Sequence, residues 1–575
     1  MKGKRISIVV CIIVSLVLIQ YRLIQPNLEK GPALNVLSWD AFGYYMFLPG
    51  IFIYNDITEY SWRHEIQDKY NALGSDFYQA RQADNGNYVG KYLTGVAILE
   101  LPFFFIGHTI AINSHYHADG FSPPYQYSIA FGAIFYCILA LFLLRKVLLR
   151  YYSDKAVALS IFLLVLATNF VQFVSVDSAQ SHAFIFPLYV LILYLTIRWH
   201  ERPRIKWAAL IGLTIGIATI SRPTEAIMLF IPLLWNTHNK HSKVLKWLQV
   251  KQYVHHIYWA IGFGLIGVLP QLIYWKIVSG DFVFNVGSKW YFLNPFFRVI
   301  VGFENGWMVY TPITILFVVG FFFIKKFPFQ KSVITFCLLN IWIITAWSDW
   351  QYGATYSTRA LVQSYPIFAL AFTAVVERIL QQKWRALFLA LGAYLIFVNF
   401  FQMGQYYKTI LHYRDMNFHY YGRIYLNNSP TPLDMSLMDT DEVLDDLKDY
   451  EKVKSAELKE PVHLEQVANY SNSILELKEL KASPDTWIRI QAAIETKTGF
   501  GDTYLNCKIA SGNVKKEKRI RLFNPISQSG VPNNYEFFVQ VPKEFNAADA
   551  AVYFTTGENL TATLHKIELS QYILK

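Results

Sequence analysis

Long apolar stretches without charged residues are the feature that most limits how this chain can fold. A helix needs about 20 apolar residues to cross the roughly 30 Å hydrocarbon core of a bilayer. The first 405 residues contain every stretch of this kind. Only 16% of the residues are charged, against about 25% in an ordinary soluble domain. The pattern predicts eleven membrane spans, at about 6–24, 124–144, 156–176, 180–197, 207–221, 224–237, 257–278, 306–324, 332–348, 360–376 and 386–404.

The positions of Lys and Arg predict the orientation of these spans, because positively charged loops stay in the cytoplasm. With a cytoplasmic N-terminus, the basic clusters fall in the cytoplasmic loops. Because the number of spans is odd, the C-terminus is then outside the cytoplasm. We therefore interpret the net charge of +11 as a topology signal and expect the lipid bilayer, with no nucleic acid, as the partner. The basic residues left in short outer loops are Arg222, Lys276, Lys289, Arg298 and Arg359.

The predicted fold combines an all-α polytopic membrane domain with a small C-terminal all-β domain outside the cytoplasm. The membrane domain covers residues 1–405 and includes a large first outer loop at about 26–123. A connector at 406–465 leads to a sandwich-like domain at 466–575, where alternating apolar and polar residues are typical of strands. We predict strands at Thr486–Glu495, Tyr535–Val541, Ala551–Thr556 and Leu560–Leu569.

Two apolar segments of the first outer loop are not counted as spans. A crossing at Leu93–Ile112 would place the basic cluster Arg145, Lys146 and Arg150 outside, so we expect an interfacial helix or a re-entrant hairpin there. Ala41–Ile53 is apolar and aromatic, which favours a helix lying flat at headgroup level.

Asp40 is the strongest candidate for acid–base chemistry. It follows the first span and is, apart from Glu29, the first acidic residue on the outer side. A carboxylate at this position is accessible to an acceptor and can serve as a general base. An Asp that precedes an apolar helix is also a common N-cap. The sequence leaves both interpretations open, and they are compatible.

Arg222 lies at the tip of a short hairpin between two predicted spans. Fifteen residues of helix rise only about 22 Å, so this Arg should lie below the outer surface and need an anionic partner. Glu225 is one candidate partner, and a lipid phosphate is the other.

Three further outer cations are candidates for contact with a lipid phosphate. Lys91 precedes the apolar segment that begins at Leu93, and Arg359 precedes a span, so each suits either a phosphate or lipid headgroups. Lys289 lies next to Trp290, which favours a plain interfacial anchor.

The sequence gives no support for a metal or other cofactor. His182, His115, His117 and Asp119 lie on the outer side, but no pair has the spacing of metal ligands on a helix. Glycine-rich phosphate loops, Cys-x-x-Cys pairs and Gly-x-Ser-x-Gly motifs are absent, so nucleotide chemistry is not indicated. We expect no cofactor, and a divalent metal is left as an alternative that the sequence does not support.

The order of several short motifs resembles the GT-C class of membrane glycosyltransferases, in particular the protein mannosyltransferase and lipid A aminoarabinose transferase branch. The usual prolines after Lys91 are replaced by Tyr92-Leu93, and no second acidic residue follows Asp40 directly. The motifs are Trp39-Asp40 with Tyr44-Tyr45 and Leu48-Pro49, Gly90-Lys91-Tyr92 with Gly95, Ile220-Ser221-Arg222-Pro223-Thr224, Asn305-Gly306-Trp307, and Trp350 to Arg359 with Pro366.

This resemblance implies an inverting transfer of a sugar from a polyprenyl-phosphate carrier to a glycan, lipid or protein acceptor. It implies Asp40 as the general base, at the periplasmic face of a bacterial inner membrane. A transporter or flippase of lipid-linked sugars is an alternative, as is a ligase that moves a whole glycan or another headgroup. The expected substrate-binding residues are Lys91, Arg222, Lys289, Arg359, Tyr44, Tyr45, His182 and Glu225.

Overall fold

The chain forms two compact units, Met1–Asn399 and Phe400–Lys575, in a computed structural model. The first unit is helical and the second is mainly β, as the composition of the two parts predicted. The structure describes residues 5–24, 36–74, 76–458, 460–466, 477–524, 526–545, 548–557 and 559–575.

Eighteen α-helices and one two-stranded hairpin make up the described part of the first unit, the last helix running past its boundary. The helices are α1 (Ile6–Leu23), α2 (Asp40–Tyr45), α3 (Phe47–Phe52), α4 (Arg63–Tyr70), α5 (Gly95–Ile112), α6 (Pro123–Leu148), α7 (Asp154–Leu166), α8 (Ser181–Glu201), α9 (Ile205–Ser221), α10 (Phe230–Leu234), α11 (Lys240–Gln252), α12 (Val254–Ser279), α13 (Arg298–Val301), α14 (Trp307–Tyr310), α15 (Ile315–Val319), α16 (Gln330–Ala346), α17 (Tyr365–Leu380) and α18 (Arg385–Tyr407). Strands β1 (Ala80–Gln82) and β2 (Tyr88–Gly90) form the hairpin between α4 and α5.

Among the described residues, seven helical segments are long and apolar enough to cross a membrane, and the chain is a multi-pass membrane protein. Six of them coincide with predicted spans. The other five predicted spans are shorter helices or are interrupted, since Pro223 and Pro312 each open a 3₁₀ turn inside an apolar stretch. The seventh long helix is α5, which was not predicted to cross.

Helix α5 is continuous, so the predicted re-entrant hairpin is wrong. Its first residue, Gly95, packs against Ser221 at the end of α9, and Gly107 packs against Tyr125 at the start of α6. An ion pair between Arg150 and Glu201 joins the C-terminal ends of α6 and α8. Helix α9 begins just after α8, so it starts at this end of the bundle and finishes at the other end, with Ser221. Both contacts of α5 therefore lie at one end of the bundle, the end predicted to face outward.

The aromatic residues of α2 and α3 are buried inside the protein, except Phe52, which is exposed. Phe42 stacks on Phe121 with ring centroids 5.6 Å apart, and Tyr45 and Phe47 are also buried. The predicted helix is thus two short helices whose aromatic side chains mostly contact the protein, and its position at headgroup level stays a prediction.

Helices α9 and α12 pack backbone to backbone through glycines. A Cβ on Gly212 would lie 1.8 Å from the carbonyl oxygen of Ala260, and one on Gly216 would lie 2.5 Å from that of Gly264. Small residues permit this close approach between membrane helices, where packing is a main source of stability. The contact holds the end of α9, and with it Arg222, in position.

The second unit is a β-sandwich, as predicted. The predicted strands at Thr486–Glu495, Tyr535–Val541, Ala551–Thr556 and Leu560–Leu569 are present. Its elements are α19 (Phe418–Ile424), α20 (Pro432–Ser436), β3 (Tyr450–Glu457), β4 (Val462–Gln466), β5 (Leu477–Ala482), β6 (Trp487–Thr496), β7 (Thr503–Ser511), β8 (Val514–Arg521), β9 (Asn533–Gln540), β10 (Ala548–Thr556) and β11 (Leu560–Leu574).

The sandwich consists of a four-stranded sheet, in the order β5-β10-β7-β8, and a five-stranded sheet, in which β3, β11, β6 and β9 follow one another and β4 also pairs with β11. Inward-facing residues such as Ile488, Leu505 and Phe537 form the core between the sheets. Residues 450–466, assigned from their charge to the connector, form β3 and β4. Most of β3 is exposed and carries charged side chains, which conceal the apolar alternation of a strand.

Replacing Gly212 by Leu should destabilise the membrane unit. The new side chain would overlap the backbone of Ala260, and such overpacking costs about 1–3 kcal/mol. Thermal unfolding of the purified protein in detergent, followed by intrinsic fluorescence, measures the loss. Gly262→Leu is the matched control, because a Cβ at that glycine of α12 meets nothing within 4 Å. Equal stability of the two variants would contradict the packing role of Gly212.

Candidate active site

Asp40 is the first residue of α2, and the preceding backbone is strained. Trp39 has a φ of 54°, a conformation that costs about 1–3 kcal/mol for a residue other than glycine. Two hydrogen bonds hold it: the Trp39 amide donates to Ala72 at 2.9 Å, and Gln79 Nε2 donates to the Trp39 carbonyl at 3.1 Å. Strain of this kind persists only where the surroundings enforce it, and functional sites are where it concentrates.

The Asp40 carboxylate accepts hydrogen bonds from side chains and does not cap a helix. Oδ2 accepts a hydrogen bond from Nη2 of Arg359 at 2.5 Å. Oδ1 accepts hydrogen bonds from the hydroxyls of Tyr92 and Tyr78, at 2.5 and 2.9 Å. The N-cap interpretation of Asp40 therefore fails. We call these four residues the Asp40 site.

The hairpin of β1 and β2 places both tyrosines on the same oxygen. Ala80 pairs with Gly90, and the Lys91 amide donates to the Gln79 carbonyl at 2.8 Å. Tyr78 and Tyr92 are each two residues beyond the Ala80–Gly90 pair, on opposite strands. The pairing therefore brings their hydroxyls together over α2.

Arg359 approaches from a loop that is fixed by buried hydrogen bonds. The Thr358 hydroxyl donates to the carbonyls of Val299 and Asn305, at 2.6 and 3.0 Å. Only 11% of the Arg359 side chain and 21% of the Asp40 side chain are exposed. The ion pair is thus largely removed from water, where electrostatic interactions are strong and unpaired charge is costly.

Burial of Asp40 opposes ionisation, but its partners outweigh that effect. The positive charge of Arg359 and the hydrogen bonds from Tyr92 and Tyr78 lower the pKa of Asp40 below its ordinary value. The carboxylate is therefore ionised at neutral pH.

The N-terminus of α8 lines the next part of the site. Gln180 accepts a hydrogen bond from Nη1 of Arg359 at 3.0 Å. Ser181 lies beside the hydroxyl of Tyr44, and His182 Nδ1 lies 2.8 Å from Oε1 of Gln363. The three consecutive residues Gln180, Ser181 and His182 thus contact Arg359, Tyr44 and Gln363, respectively.

Arg222 enters this region without a carboxylate partner. Its charge acts on both Tyr44 and Glu225, but Glu225 accepts its hydrogen bonds from Tyr189 and from Gln363, the latter at 3.1 Å. Nη1 of Arg222 is buried and forms no hydrogen bond within the described part of the chain. The direct Arg222–Glu225 ion pair is therefore not formed, and one buried N–H donor of Arg222 is left without a partner in the described part of the chain.

Three expected binding residues lie apart from this network. The Tyr45 hydroxyl donates to the Gly120 carbonyl at 2.6 Å and has a packing role. Lys91 and Lys289 are exposed, and neither ammonium group contacts another described residue in a hydrogen bond or ion pair. The structure therefore brings together Asp40, Arg359, Arg222, Tyr44, His182 and Glu225 from the expected set.

Sequence reasoning missed Tyr78, Tyr92, Gln180 and Gln363 as contributors to the site. The chain contains 38 tyrosines, and nothing local distinguishes the two that meet Asp40. Asp177 was also undervalued, although an acidic residue directly after an apolar stretch is a usable signal. Burial raises the pKa of Asp177, against the opposing effects of the Gln172 hydrogen bond and the charge of Arg359.

Asp119 of the first outer loop has other partners. Asp119 pairs with Lys69 at 2.8 Å and accepts the Tyr70 hydroxyl at 2.6 Å. It also accepts the amides of Phe121 and Ser122. Within the described ranges, no group of three or more His, Cys, Asp or Glu side chains is arranged to hold a metal ion.

Comparison with known proteins identifies a matching family and two similar structures. Residues 125–274 match the family of dolichyl-phosphate-mannose-protein mannosyltransferases, and no curated protein matches the sequence. ArnT from Cupriavidus metallidurans in the apo state is 11% identical, with 73% of this chain and 68% of ArnT covered and a TM-score of 0.42. Arabinosyltransferase EmbB from Mycobacterium smegmatis is 11% identical, with 98% of this chain and 64% of EmbB covered and a TM-score of 0.31. The family match confirms the predicted resemblance over the region that contains α8 and Arg222.

Replacing Tyr92 by Phe should raise the pKa of Asp40 toward its ordinary value of 3.8, because one of the two hydroxyl donors to Oδ1 is lost. A carboxylate whose pKa is lowered by folding stabilises the protein above its unfolded pKa, and this stability is lost as the pH falls through the folded pKa. The variant should therefore be less stable at neutral pH and should lose less stability on acidification. Carbon-13 NMR of labelled aspartate follows the titration, with Asp40 assigned from the Asp40→Asn spectrum.

Tyr54→Phe is the control for this titration. Its hydroxyl bonds to the Asp119 carbonyl at 3.0 Å, so its loss should leave the pKa of Asp40 unchanged. A titration of Asp40 that does not move in Tyr92→Phe would show that the hydrogen bond has no electrostatic effect.

Proposed function

We propose that the chain is a membrane-embedded glycosyltransferase that takes a sugar from a polyprenyl-phosphate carrier. The observation that carries this proposal is the Asp40–Arg359 pair together with Arg222, which keeps a buried N–H donor without a partner in the described part of the chain. An ionised carboxylate supplies a base, and two arginines supply the cations that a phosphate requires. The similarity of residues 125–274 to mannosyltransferases supports the same chemistry.

Asp40 acts as the general base in the proposed reaction. Oδ2 removes the proton of an acceptor hydroxyl or amine while the acceptor atom attacks the anomeric carbon from the face opposite the carrier. The bond from the anomeric carbon to the phosphate oxygen breaks, and its electron pair stays on the lipid phosphate. One displacement of this kind inverts the anomeric configuration.

Arg359 has two roles in this scheme. In the structure it binds Asp40, and together with the two tyrosines it makes the carboxylate a weak base. A phosphate that binds the guanidinium competes with Oδ2, since both are anionic acceptors. Donor binding therefore releases Oδ2 to accept a proton, and Arg222 and Arg359 then stabilise the leaving phosphate.

The proposed location of the site is the periplasmic face of a bacterial inner membrane. The Asp40 site, Arg222 and the start of α8 lie on the side that the distribution of Lys and Arg predicts to be outside. The acceptor is a glycan, a lipid or a protein that reaches this face. The sugar is a hexose or a pentose.

Asp40→Asn should abolish most transfer, because the amide retains the shape of the side chain but accepts no proton. Loss of a general base commonly costs about 10²–10⁴-fold in rate. Mass spectrometry of envelope glycans, in a deletion strain complemented with each variant, measures the product. Asp84→Asn is the control, since Asp84 is an exposed carboxylate of the same outer segment.

Asp40→Asn should be less stable than the wild type, because the buried charge of Arg359 loses its carboxylate partner. The product is therefore normalised to the amount of folded protein in the membrane, so that lost product reports chemistry and not misfolding. Product at the wild-type level in cells that carry Asp40→Asn would refute the assignment of the base. Asp177→Asn would then be the next variant to measure, because Asp177 acts electrostatically on the same arginine.

Arg222→Ala should weaken binding of a polyprenyl phosphate that carries no sugar. A charge-assisted hydrogen bond contributes about 1.5–3 kcal/mol, which corresponds to roughly a tenfold to hundredfold loss of affinity. Binding to protein in nanodiscs is measured by native mass spectrometry. Arg222→Lys should recover only part of the affinity, because an ammonium lacks the two-pronged geometry of guanidinium.

Lys276→Ala is the matched control for Arg222→Ala. Lys276 is another of the cations expected in the outer loops, and its ammonium group binds the carbonyl of Gly280 at the end of α12. Its loss should leave polyprenyl phosphate binding unchanged. Equal losses in the two variants would mean that only the general positive potential of the outer face matters.

A further inference from the structure

A chain of buried hydrogen bonds leads from the core of the bundle to His182. The Tyr189 hydroxyl donates to Oε2 of Glu225, Gln363 Nε2 donates to Oε1 of Glu225 at 3.1 Å, and Gln363 Oε1 lies 2.8 Å from His182 Nδ1. All four side chains are at least nine-tenths buried. We call this chain the buried relay.

The relay has a direction, which is set by the Glu225 carboxylate. Oε2 of Glu225 accepts the Tyr189 hydroxyl, and the amide nitrogen of Gln363 faces Oε1 and donates to it. The amide oxygen then faces His182 and needs a donor. An inverted amide would place its oxygen against a carboxylate oxygen and its nitrogen against the ring. Nδ1 of His182 is therefore the nitrogen that carries the proton.

The tautomer leaves the other ring nitrogen as an acceptor. In a neutral imidazole with the proton on Nδ1, Nε2 has a free lone pair. Nε2 of His182 forms no hydrogen bond to the described part of the chain. The charges of Arg222, Arg359 and Asp40 all act on this ring, so the free acceptor lies within the proposed site.

We propose that Nε2 of His182 accepts a hydrogen bond from a hydroxyl or amino group of the sugar on the carrier lipid, and that Glu225, through Gln363, fixes the tautomer that makes this possible. This inference rests on the proposed function and deepens it. A lone pair repels the oxygens of a phosphate but attracts an O–H or N–H group. The two arginines therefore take the anion, and His182 takes the sugar.

A structural role for His182 predicts a different pattern of mutational effects. Such a role requires only the Nδ1 bond, which joins the start of α8 to the turn that precedes α17. Asn carries its amide nitrogen at about the position of Nδ1 and has no counterpart of Nε2. His182→Asn thus keeps the structural bond and removes the proposed sugar contact, which separates the two roles.

The binding experiment uses two kinds of probe on protein in nanodiscs: a polyprenyl phosphate without sugar, and a panel of polyprenyl-phosphate hexoses and pentoses. The panel member that the wild type binds most tightly is the sugar probe. His182→Asn should bind the sugar-free carrier as the wild type does. It should bind the sugar probe roughly three- to tenfold more weakly, as expected for the loss of one uncharged hydrogen bond.

Each outcome of the binding experiment has a distinct meaning. Failure of the wild type to bind the sugar-free carrier would overturn the proposed function. Carrier binding with no gain for any sugar of the panel would overturn the present inference alone. Equal losses for both probes in His182→Asn, or no loss for the sugar probe, would also overturn it, because the effect would then be structural or absent.

Nitrogen-15 NMR of histidine-labelled protein tests the tautomer without any ligand. The His182 ring, assigned from the spectrum of His182→Asn, should be neutral and protonated at Nδ1. Gln363→Leu, which breaks the relay but keeps a similar volume, should remove the preference for that tautomer. A wild-type ring protonated at Nε2, or a doubly protonated ring, would overturn the inference.

Discussion

The ion pair between Asp40 and Arg359 is the interaction on which the rest of the site depends. It joins residues 319 positions apart and is largely shielded from water. Removing two charges from water is costly, and their attraction offsets that cost only when further hydrogen bonds satisfy them. Tyr78 and Tyr92 supply these bonds to Asp40, and Gln180 supplies one to Arg359. The hairpin, the start of α8 and the loop before α17 are therefore all required to hold one pair.

The hydrogen bonds of Glu225 are directed away from Arg222. Glu225 accepts hydrogen bonds from Tyr189 and Gln363 and forms no direct ion pair with Arg222. Asp40 compensates Arg359, and Arg222 keeps an unsatisfied donor. A buried donor without a partner is unfavourable, and the anion of the proposed function would satisfy it.

The sequence allowed the membrane bundle, the β-sandwich and most candidate residues of the site to be predicted, because apolar length and strand alternation are local signals. Asp40, Arg222 and Arg359 stood out as charges at the ends of apolar stretches, where local sequence is informative. Their partners could not be predicted. Tyr78 and Tyr92 contact Asp40 only because of the register between β1 and β2, two strands of three residues each. Arg359 contacts Asp40 although the two residues are 319 positions apart in the sequence. The burial of most aromatic residues at Ala41–Ile53 could not be predicted, because aromatic residues look the same in sequence whether they face lipid or a protein core.

In the proposed reaction, the shared use of Arg359 would link binding of the sugar donor to activation of Asp40 as the base. While the guanidinium holds Oδ2, Asp40 is a poor proton acceptor, and an acceptor substrate that arrives first meets an inactive base. A phosphate that draws Arg359 away raises the basicity of Asp40 at the moment when an anomeric carbon is in place. Tyr78 and Tyr92 would keep Oδ1 in position during this exchange, because their hydrogen bonds do not involve Oδ2. This order would also protect the carrier-linked sugar, since water meets a strong base only once the donor and its lipid fill the site.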